Sequence, residues 1–442
     1  MKKNSLVFVW SLIVALGGFL FGYDTAVISG VEQSIQKLFN LDSFWHGFAI
    51  ASALIGTVIG ALSAGKPADK YGRKFVLFIV AFLYAISAVG SAMANNLTLF
   101  IIFRILGGIA VGASSVVAPM YISEISPAKV RGRMTALFQF NVIFGILMAY
   151  VVNYLLRDAG SEPWRWMLGV MAIPSVFFFF LLFIVPPSPR FLVKIGEREK
   201  ARKVLMRIET GDVVAELREI ELSLENHGNK KDILFSKLYS KPIFIAVFVG
   251  VFNQLSGINA VLYYAPRMFE LAGVSSSNAI LQPIYIGIAN AIFTMLGLVL
   301  IDRVGRKKLL VVGSIGMALV MALVSRTFYL QDFGGYTLLI YLIFYIMFFA
   351  FSTGAVVWVL IAEVFPNAVR GQGQSLGSCS VWFSAGLITF LFPIVAERTE
   401  NGGGHAFAFF TLMMIIQAFV VWKYFPETKG KTLEQLGEEL SK

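Results

Sequence analysis

Twelve stretches of this 442-residue chain stay apolar long enough to cross a hydrocarbon layer ~30 Å thick at ~1.5 Å of helical rise per residue. They run roughly over 6–30, 47–64, 75–94, 97–122, 134–156, 165–185, 243–272, 279–301, 309–329, 336–362, 372–396 and 405–425. Within a bilayer no water pairs with backbone N–H and C=O groups, so each stretch is read as a helix that satisfies its own backbone. The runs over 165–185, with Phe177 to Phe180 inside it, and over 309–329 are the cleanest. Longer ones must tilt, bend or end in loops. Composition agrees: 57% of residues are hydrophobic and only 14% charged, which a soluble globule could not hide. The expected fold is an all-α membrane protein of twelve transmembrane helices.

The twelve divide six and six. Asp69 to Lys74 reads Asp-Lys-Tyr-Gly-Arg-Lys and returns, 233 residues on, as Asp-Arg-Val-Gly-Arg-Lys from Asp302 to Lys307. Glu124, followed seven residues later by Arg131-Gly132, returns 239 residues on as Glu363 followed by Arg370-Gly371. Two separate motifs at nearly one offset report a duplication. The expected organisation is an N-terminal six-helix bundle over 1–185, a cytoplasmic linker over 186–241, a C-terminal bundle over 242–426 and a tail over 427–442. The linker mixes 12 basic with 9 acidic residues, and its stretches 197–207 and 213–225 place Val204, Leu205, Ile208, Val214, Leu217, Ile220 and Leu224 at helical spacing. Short amphipathic helices fit it, as a solvated connector or as a gating latch.

Lys and Arg set the orientation. With both termini in the cytoplasm, 30 of the 37 basic residues fall inside; six lie outside (Lys37, Arg157, Arg165, Arg267, Arg326, Arg398) and Arg104 sits within a helix. The net charge of +11 then reports topology and contact with anionic lipid, and no basic, aromatic-rich soluble domain exists for nucleic acid. Met1-Lys2-Lys3 opens a retained first helix, since no small-residue cleavage site closes the run. One cysteine, Cys379, excludes an intrachain disulfide, and three scattered histidines, His46, His227 and His405, have no metal-ligand spacing. Motifs of phosphate binding or hydrolytic chemistry are missing from the chain, so no enzyme, metal or cofactor is expected.

Three polar groups stand out against this apolar background. Asp24 and Arg104 lie six and seven residues from the outer ends of the first and fourth runs, both roughly 10 Å deep, which is the depth match of an ion pair. Burial favours a neutral acid and a guanidinium favours the carboxylate, so separating them promotes protonation. Asp24 is therefore either a proton carrier governed by Arg104 or half of a static staple between helices. The second group is the duplicated turns: Arg73 and Arg306 can meet Glu363 and Glu124 or helix carbonyl ends, with Arg131 and Arg370 as further candidates, as ties that hold the two halves together on the inside. The third is Asn253-Gln254-Leu255-Ser256-Gly257-Ile258-Asn259 within an apolar helix, joined by Gln139, Asn141, Asn153 and Asn290 in helices five and eight. Unpaired amides in hydrocarbon are costly, so these face a wet cavity or bond to neighbouring helices. Amides donate and accept, which suits a neutral ligand rich in hydroxyls, and Trp358 and Trp382 offer aromatic faces to its C–H surfaces.

Over nearly its whole length the chain resembles the sugar porter family of the major facilitator superfamily. The resemblance rests on Gly22-Tyr23-Asp24 with Gly30, Asp69 to Lys74, Arg104 with Gly107-Gly108 and Gly112, Tyr121 to Glu124 with Arg131-Gly132, and Ser188-Pro189-Arg190. In the second half it rests on Gln254 to Asn259 with Tyr263-Tyr264, Asp302 to Lys307, Trp358, Glu363 to Gly371, and Pro426 to Gly430. It implies two six-helix bundles opening alternately around a central sugar site. By position it implies sugar contacts from Gln139, Asn253, Gln254, Asn259, Asn290, Trp358 and Trp382, and an outer gate at Tyr263 and Tyr264. The cytoplasmic gate network it implies comprises Asp69, Arg73, Glu124, Arg131, Arg190, Asp302, Arg306, Glu363 and Arg370. Proton-driven members carry an aspartate at the place of Asp24, where passive animal facilitators carry asparagine.

The expected function is therefore proton-coupled symport of a hexose or pentose, such as glucose, xylose or galactose, through a bacterial inner membrane by a monomer surrounded by lipid. The coupling ion is the proton; a proton-independent facilitator and a non-transporting sensor are the alternatives. Three departures from the family pattern bear on it. Asn253 replaces a glutamine, Pro187 replaces the acid of Pro-Glu-Ser-Pro-Arg, and Gly354-Ala355 replaces a Gly-Pro hinge, so the tenth helix is expected to kink less.

Overall fold

The computed structural model of the protein describes residues 3–127, 130–208, 212–226, 234–365, 369–399 and 401–429; the side chains of Lys3, Asn4, residues 223–226, Asp302 and Arg370 also lie outside that description. Among the described residues helices are the only regular secondary structure, with no strand, and twelve helical spans are long and apolar enough to cross a membrane. They are span 1 (Ser5–Gly30), span 2 (Ser43–Ser63), span 3 (Arg73–Met93), span 4 (Leu97–Ile125), span 5 (Arg131–Leu156) and span 6 (Pro163–Leu181) in the first half. The second half holds span 7 (Lys237–Leu271), span 8 (Ser276–Ile301), span 9 (Arg306–Leu330), span 10 (Thr337–Glu363), span 11 (Gly371–Arg398) and span 12 (Gly402–Tyr424). All twelve expected runs are present, displaced by a few residues at their ends.

Spans 6, 7, 8 and 10 are not continuous; in span 8 a single turn, Ser276–Ala279, precedes the long helix Gln282–Val304. Span 6, one of the two cleanest runs in the sequence, is two helices, Pro163–Gly169 and Ala172–Leu181, and stops short of residue 185. Span 7 breaks at Gly257, whose φ of +87° only glycine adopts freely; the helices Ser240–Leu255 and Ile258–Leu271 meet there. A Cβ at that position would also lie 2.6 Å from the Phe410 ring. Span 10, which lacks the Gly-Pro hinge, nonetheless divides into Thr337–Phe351 and Thr353–Glu363 at Ser352 (φ −111°, ψ −98°). The Ser352 hydroxyl donates to the Phe348 carbonyl and packs where Gly313 of span 9 leaves room, so a back-bonded serine does the bending.

Two compact units emerge from the contacts. Unit 1 is Met1–Thr25, Ile55–Ala149 and Arg165–Lys231. Its helices approach closely through glycines: a Cβ on Gly22 would meet the Val142 carbonyl, and one on Gly145 the Phe19 carbonyl, which seats span 1 directly on span 5. Its linker part forms the helices Pro189–Lys194, Arg198–Ile208 and Val213–Asn226. Val204, Leu205, Ile208 and Leu217 are buried as their spacing predicts, Val214 is exposed, and the side chain of Leu224 lies outside the described residues. Unit 2 is Ala26–Leu54, Tyr150–Trp164 and Asp232–Lys442. Thus the end of span 1, the start of span 2 and the end of span 5 fold with the second six spans.

Candidate functional site

In unit 1, span 1 carries Asp24 and span 4 carries Arg104, and the two side chains meet: Arg104 Nη1 donates to Asp24 Oδ1 at 2.6 Å, each only 3% exposed. Space for the contact depends on Gly107, one turn after Arg104. A Cβ there would strike the Ser87 hydroxyl and stand 3.6 Å from Asp24 Oδ1. Arg104 Nε is buried without a hydrogen-bond partner. A guanidinium in this position is satisfied by Asp24 on one face only, so losing the carboxylate's charge changes its environment strongly.

The duplicated turns form two matching clusters, and each closes on itself. In unit 1, Arg73 reaches Glu124 (Nη2–Oε1 3.0 Å, Nε–Oε1 3.1 Å), Asp69 (3.1 Å) and the Ala68 carbonyl (3.0 Å). In unit 2, Arg306 forks onto Glu363 (Nη2–Oε1 2.8 Å, Nε–Oε2 3.2 Å) and donates to the Ile301 carbonyl (3.1 Å). Of the two partners expected for these arginines, the helix carbonyl ends are met, at Ala68 and Ile301, while the glutamate expectation is corrected: each arginine takes the glutamate of its own half. Each arginine lies 51 or 57 residues from the glutamate it takes, much nearer in sequence than the glutamate of the other half, and Gly72 (φ +93°) and Gly305 (φ +100°) turn the chain so that each arginine reaches the end of the preceding helix. Arg190 adds positive charge near Glu124, while Arg131 is solvent-facing and donates to the Ser123 carbonyl. The side chains of Asp302 and Arg370 lie outside the described residues.

Most of the predicted sugar contacts lie in unit 2 and are buried. The Gly257 break turns Asn253 and Gln254 into a helix end, where Gln254 Nε2 donates to Asn253 Oδ1 (2.7 Å) and Ser256 Oγ donates to the Asn253 carbonyl (2.6 Å). Gln254 Oε1 is buried and unpartnered, so an acceptor stands ready for a hydroxyl. Asn259 and Asn290 are likewise buried, the latter accepting from Thr294 (3.3 Å). The Trp358 and Trp382 rings lie 6.2 Å apart, with Trp358 39% exposed and Trp382 buried. Gln139 is half-buried in unit 1. Asn141 and Asn153 bond to the Leu137 and Val27 carbonyls, so interhelical or local bonding accounts for them. Tyr263 is buried; Tyr264 is packed, its hydroxyl on the Thr389 carbonyl (3.0 Å) and its ring 5.1 Å from Phe392.

Sequence reading gave no role to several polar residues that the structure brings to these clusters. Glu124 also accepts from the Ser188 hydroxyl, and Glu363 from the Thr428 hydroxyl (2.7 Å), while Glu427 accepts from the Arg306 backbone N–H (2.9 Å). The signal was available: Ser188-Pro189 and Glu427-Thr428 each follow the sixth span of a half, at equivalent places in the repeat. Glu32, His46, Arg267 and Glu397, near the opposite end of unit 2, carried no repeat signal.

Twelve apolar spans among the described residues, with an ion pair buried in one unit and amides buried in the other, make a multi-pass membrane protein. The sugar (and other) transporter family model matches residues 10–440, and the chain belongs to that family, whose members are transporters. The chain is 38% identical to the D-xylose-proton symporter of Escherichia coli (strain K12), over 98% of this chain and 96% of that one. It is 36% identical to the arabinose-proton symporter of Bacillus subtilis (strain 168), again over 98% and 96%. The inward-open structure of the xylose transporter XylE from E. coli superposes with a TM-score of 0.87 at 37% identity, covering 98% of this chain and 99% of that one. A structure of the same proton:xylose symporter bound to 6-bromo-6-deoxy-D-glucose gives 0.83 at 37%, over the full length of both.

Proposed function

We propose that the protein is a proton-coupled symporter that carries a monosaccharide into a bacterial cell across the cytoplasmic membrane, with both termini in the cytoplasm. The buried Asp24–Arg104 contact carries this reading, because a lone carboxylate at that depth needs either a permanent cation or a proton. Likeness to xylose- and arabinose-proton symporters supports it, and the chemistry of the amides fits a pentose or hexose such as xylose or glucose. The moving bodies are 1–185 and 242–426, and 186–241 connects them as a monomer held in lipid.

Protonated Asp24 releases Arg104 and permits sugar loading from outside. Gln139, Asn253, Gln254, Asn259 and Asn290 hold hydroxyls while Trp358 and Trp382 cover a C–H face; Tyr263 and Tyr264 close the outer side. The Asp69–Arg73–Glu124 and Arg306–Glu363 clusters, with Arg131, Arg190, Asp302 and Arg370, brace the cytoplasmic ends that part when sugar leaves. The test is Asp24→Asn in proteoliposomes. Uphill uptake driven by a pH gradient is lost while sugar counterflow persists. Gradient-driven accumulation in that variant, or sugar uptake by the unaltered protein that never alkalinises a lightly buffered medium, refutes the coupling.

A further inference from the structure

The short helix Glu32–Leu38, which follows span 1, and span 2 bring a second buried pair together, on the far side of unit 2 from the Arg306 cluster. His46 Nε2 lies 2.8 Å from Glu32 Oε2, and both side chains are wholly buried. Two bare lone pairs would repel at that distance, and the contact is an ion pair when the imidazole is protonated. None of the four polar atoms, Glu32 Oε1 and Oε2 or His46 Nδ1 and Nε2, makes a hydrogen bond to the described residues.

The charged surroundings are few. Arg267 of span 7 stands 3.6 Å from Glu32 Oε2, donates to Gln36 Oε1 (2.9 Å) and forms an ion pair with Glu397 of span 11. Glu397 also accepts from Ser43 and from Gln36 Nε2 (3.3 Å). Tyr264 stands edge-on to the His46 ring at 6.0 Å, with its own hydroxyl committed to Thr389. Lys37 lies on the short helix Glu32–Leu38, and Asp42 precedes span 2, its backbone carbonyl accepting from the His46 N–H. Arg267 and Glu397 are each 23% exposed and balance one another, whereas Glu32 and His46 are wholly buried; that pair is neutral when it carries one titratable proton and negative when it does not. Burial favours the neutral inventory of the pair.

We propose that Glu32 and His46 hold a proton between them as a second proton-binding site, and that this pair, with Arg267 bridging to Glu397, is a latch closing the outer end of unit 2. "Outer" rests on the topology proposed above; the pair and its contacts do not. The latch joins residues that follow span 1 to residues of spans 7 and 11, so any opening of this end must break it. Opening wets the pair and lets the proton go, which makes the proton in external solution a ligand of the closed latch.

Nitrogen-15 NMR of histidine-labelled protein in nanodiscs tests the proton without any transport assay. The chain has three histidines, and exposed His405 serves as the internal reference. The expected result is that the His46 ring shows the nitrogen shifts of a proton shared with a carboxylate, which His405 lacks, and that Glu32→Gln removes this difference. A His46 spectrum in the unaltered protein that matches that of His405 overturns the site. Hydrogen–deuterium exchange tests the latch. Arg267→Gln, a change at a partly exposed side chain that the fold should tolerate, is expected to raise exchange in Glu32–Leu38 about tenfold, a ~1.4 kcal/mol effect. Unchanged protection there refutes the latch, whatever the fate of sugar transport.

Discussion

Gln254 shows how a residue becomes a ligand. Its amide nitrogen is committed to Asn253, which leaves the buried oxygen as the atom for which the protein supplies no partner. Gln254→Ala is expected to weaken sugar binding by about 1–3 kcal/mol, read by titration calorimetry, because a ligand hydroxyl then loses its acceptor in a desolvated site; unchanged binding removes Gln254 from the pocket. The sequence made Gln254 conspicuous because an amide in an apolar helix needs a reason, and Asp24 with Arg104 for the same reason. It left His46 and Glu32 obscure: fourteen residues apart on separate helices, they become a pair only through the packing of spans 1, 2 and 7. Depth along a helix can be counted from sequence, whereas azimuth around it cannot. That is why Asp24 and Arg104 could be matched while Asn141 and Asn153, which turn toward backbone carbonyls, could not be separated from their neighbours.

At the scale of elements, span positions were legible because hydrocarbon thickness sets a length and the backbone has no other partner there. The breaks were less so. Gly257 advertises its own bend, but Ser352 bends span 10 by bonding back to the Phe348 carbonyl, and serine in a helix carries no such message by itself. Gly257→Ala forces a left-handed residue, at about 1–2 kcal/mol, and pushes against the Phe410 ring. A lower thermal midpoint in detergent is expected together with weaker sugar binding, since the same break orients Asn253 and Gln254; a variant with unchanged midpoint would show that the break relaxes freely.

For the molecule as a whole, duplication gave two copies of one brace with unequal burial. The Arg73–Glu124 side chains are 8% and 7% exposed, against 11% and 27% for Arg306–Glu363. Removing one partner of a buried ion pair costs about 3–5 kcal/mol, and solvent reduces that loss. Glu124→Ala should therefore lower the thermal midpoint more than Glu363→Ala, and the reverse order would show that burial does not set their strength. The repeat was plain in the sequence, yet it could not say that each arginine would serve its own copy. Each arginine is 51 or 57 residues from its own copy's glutamate and several times farther from the other's, and the shorter closure costs less chain entropy. The discontinuous membership of unit 2 bears on synthesis. The ends of spans 1, 2 and 5 emerge from the ribosome long before the residues that cover them, so Glu32 and His46 wait without Arg267 or Glu397 until the second half has been threaded into the membrane. Assembly of that region is thus an act of the finished chain, and a nascent first half is a body with one end still unmade.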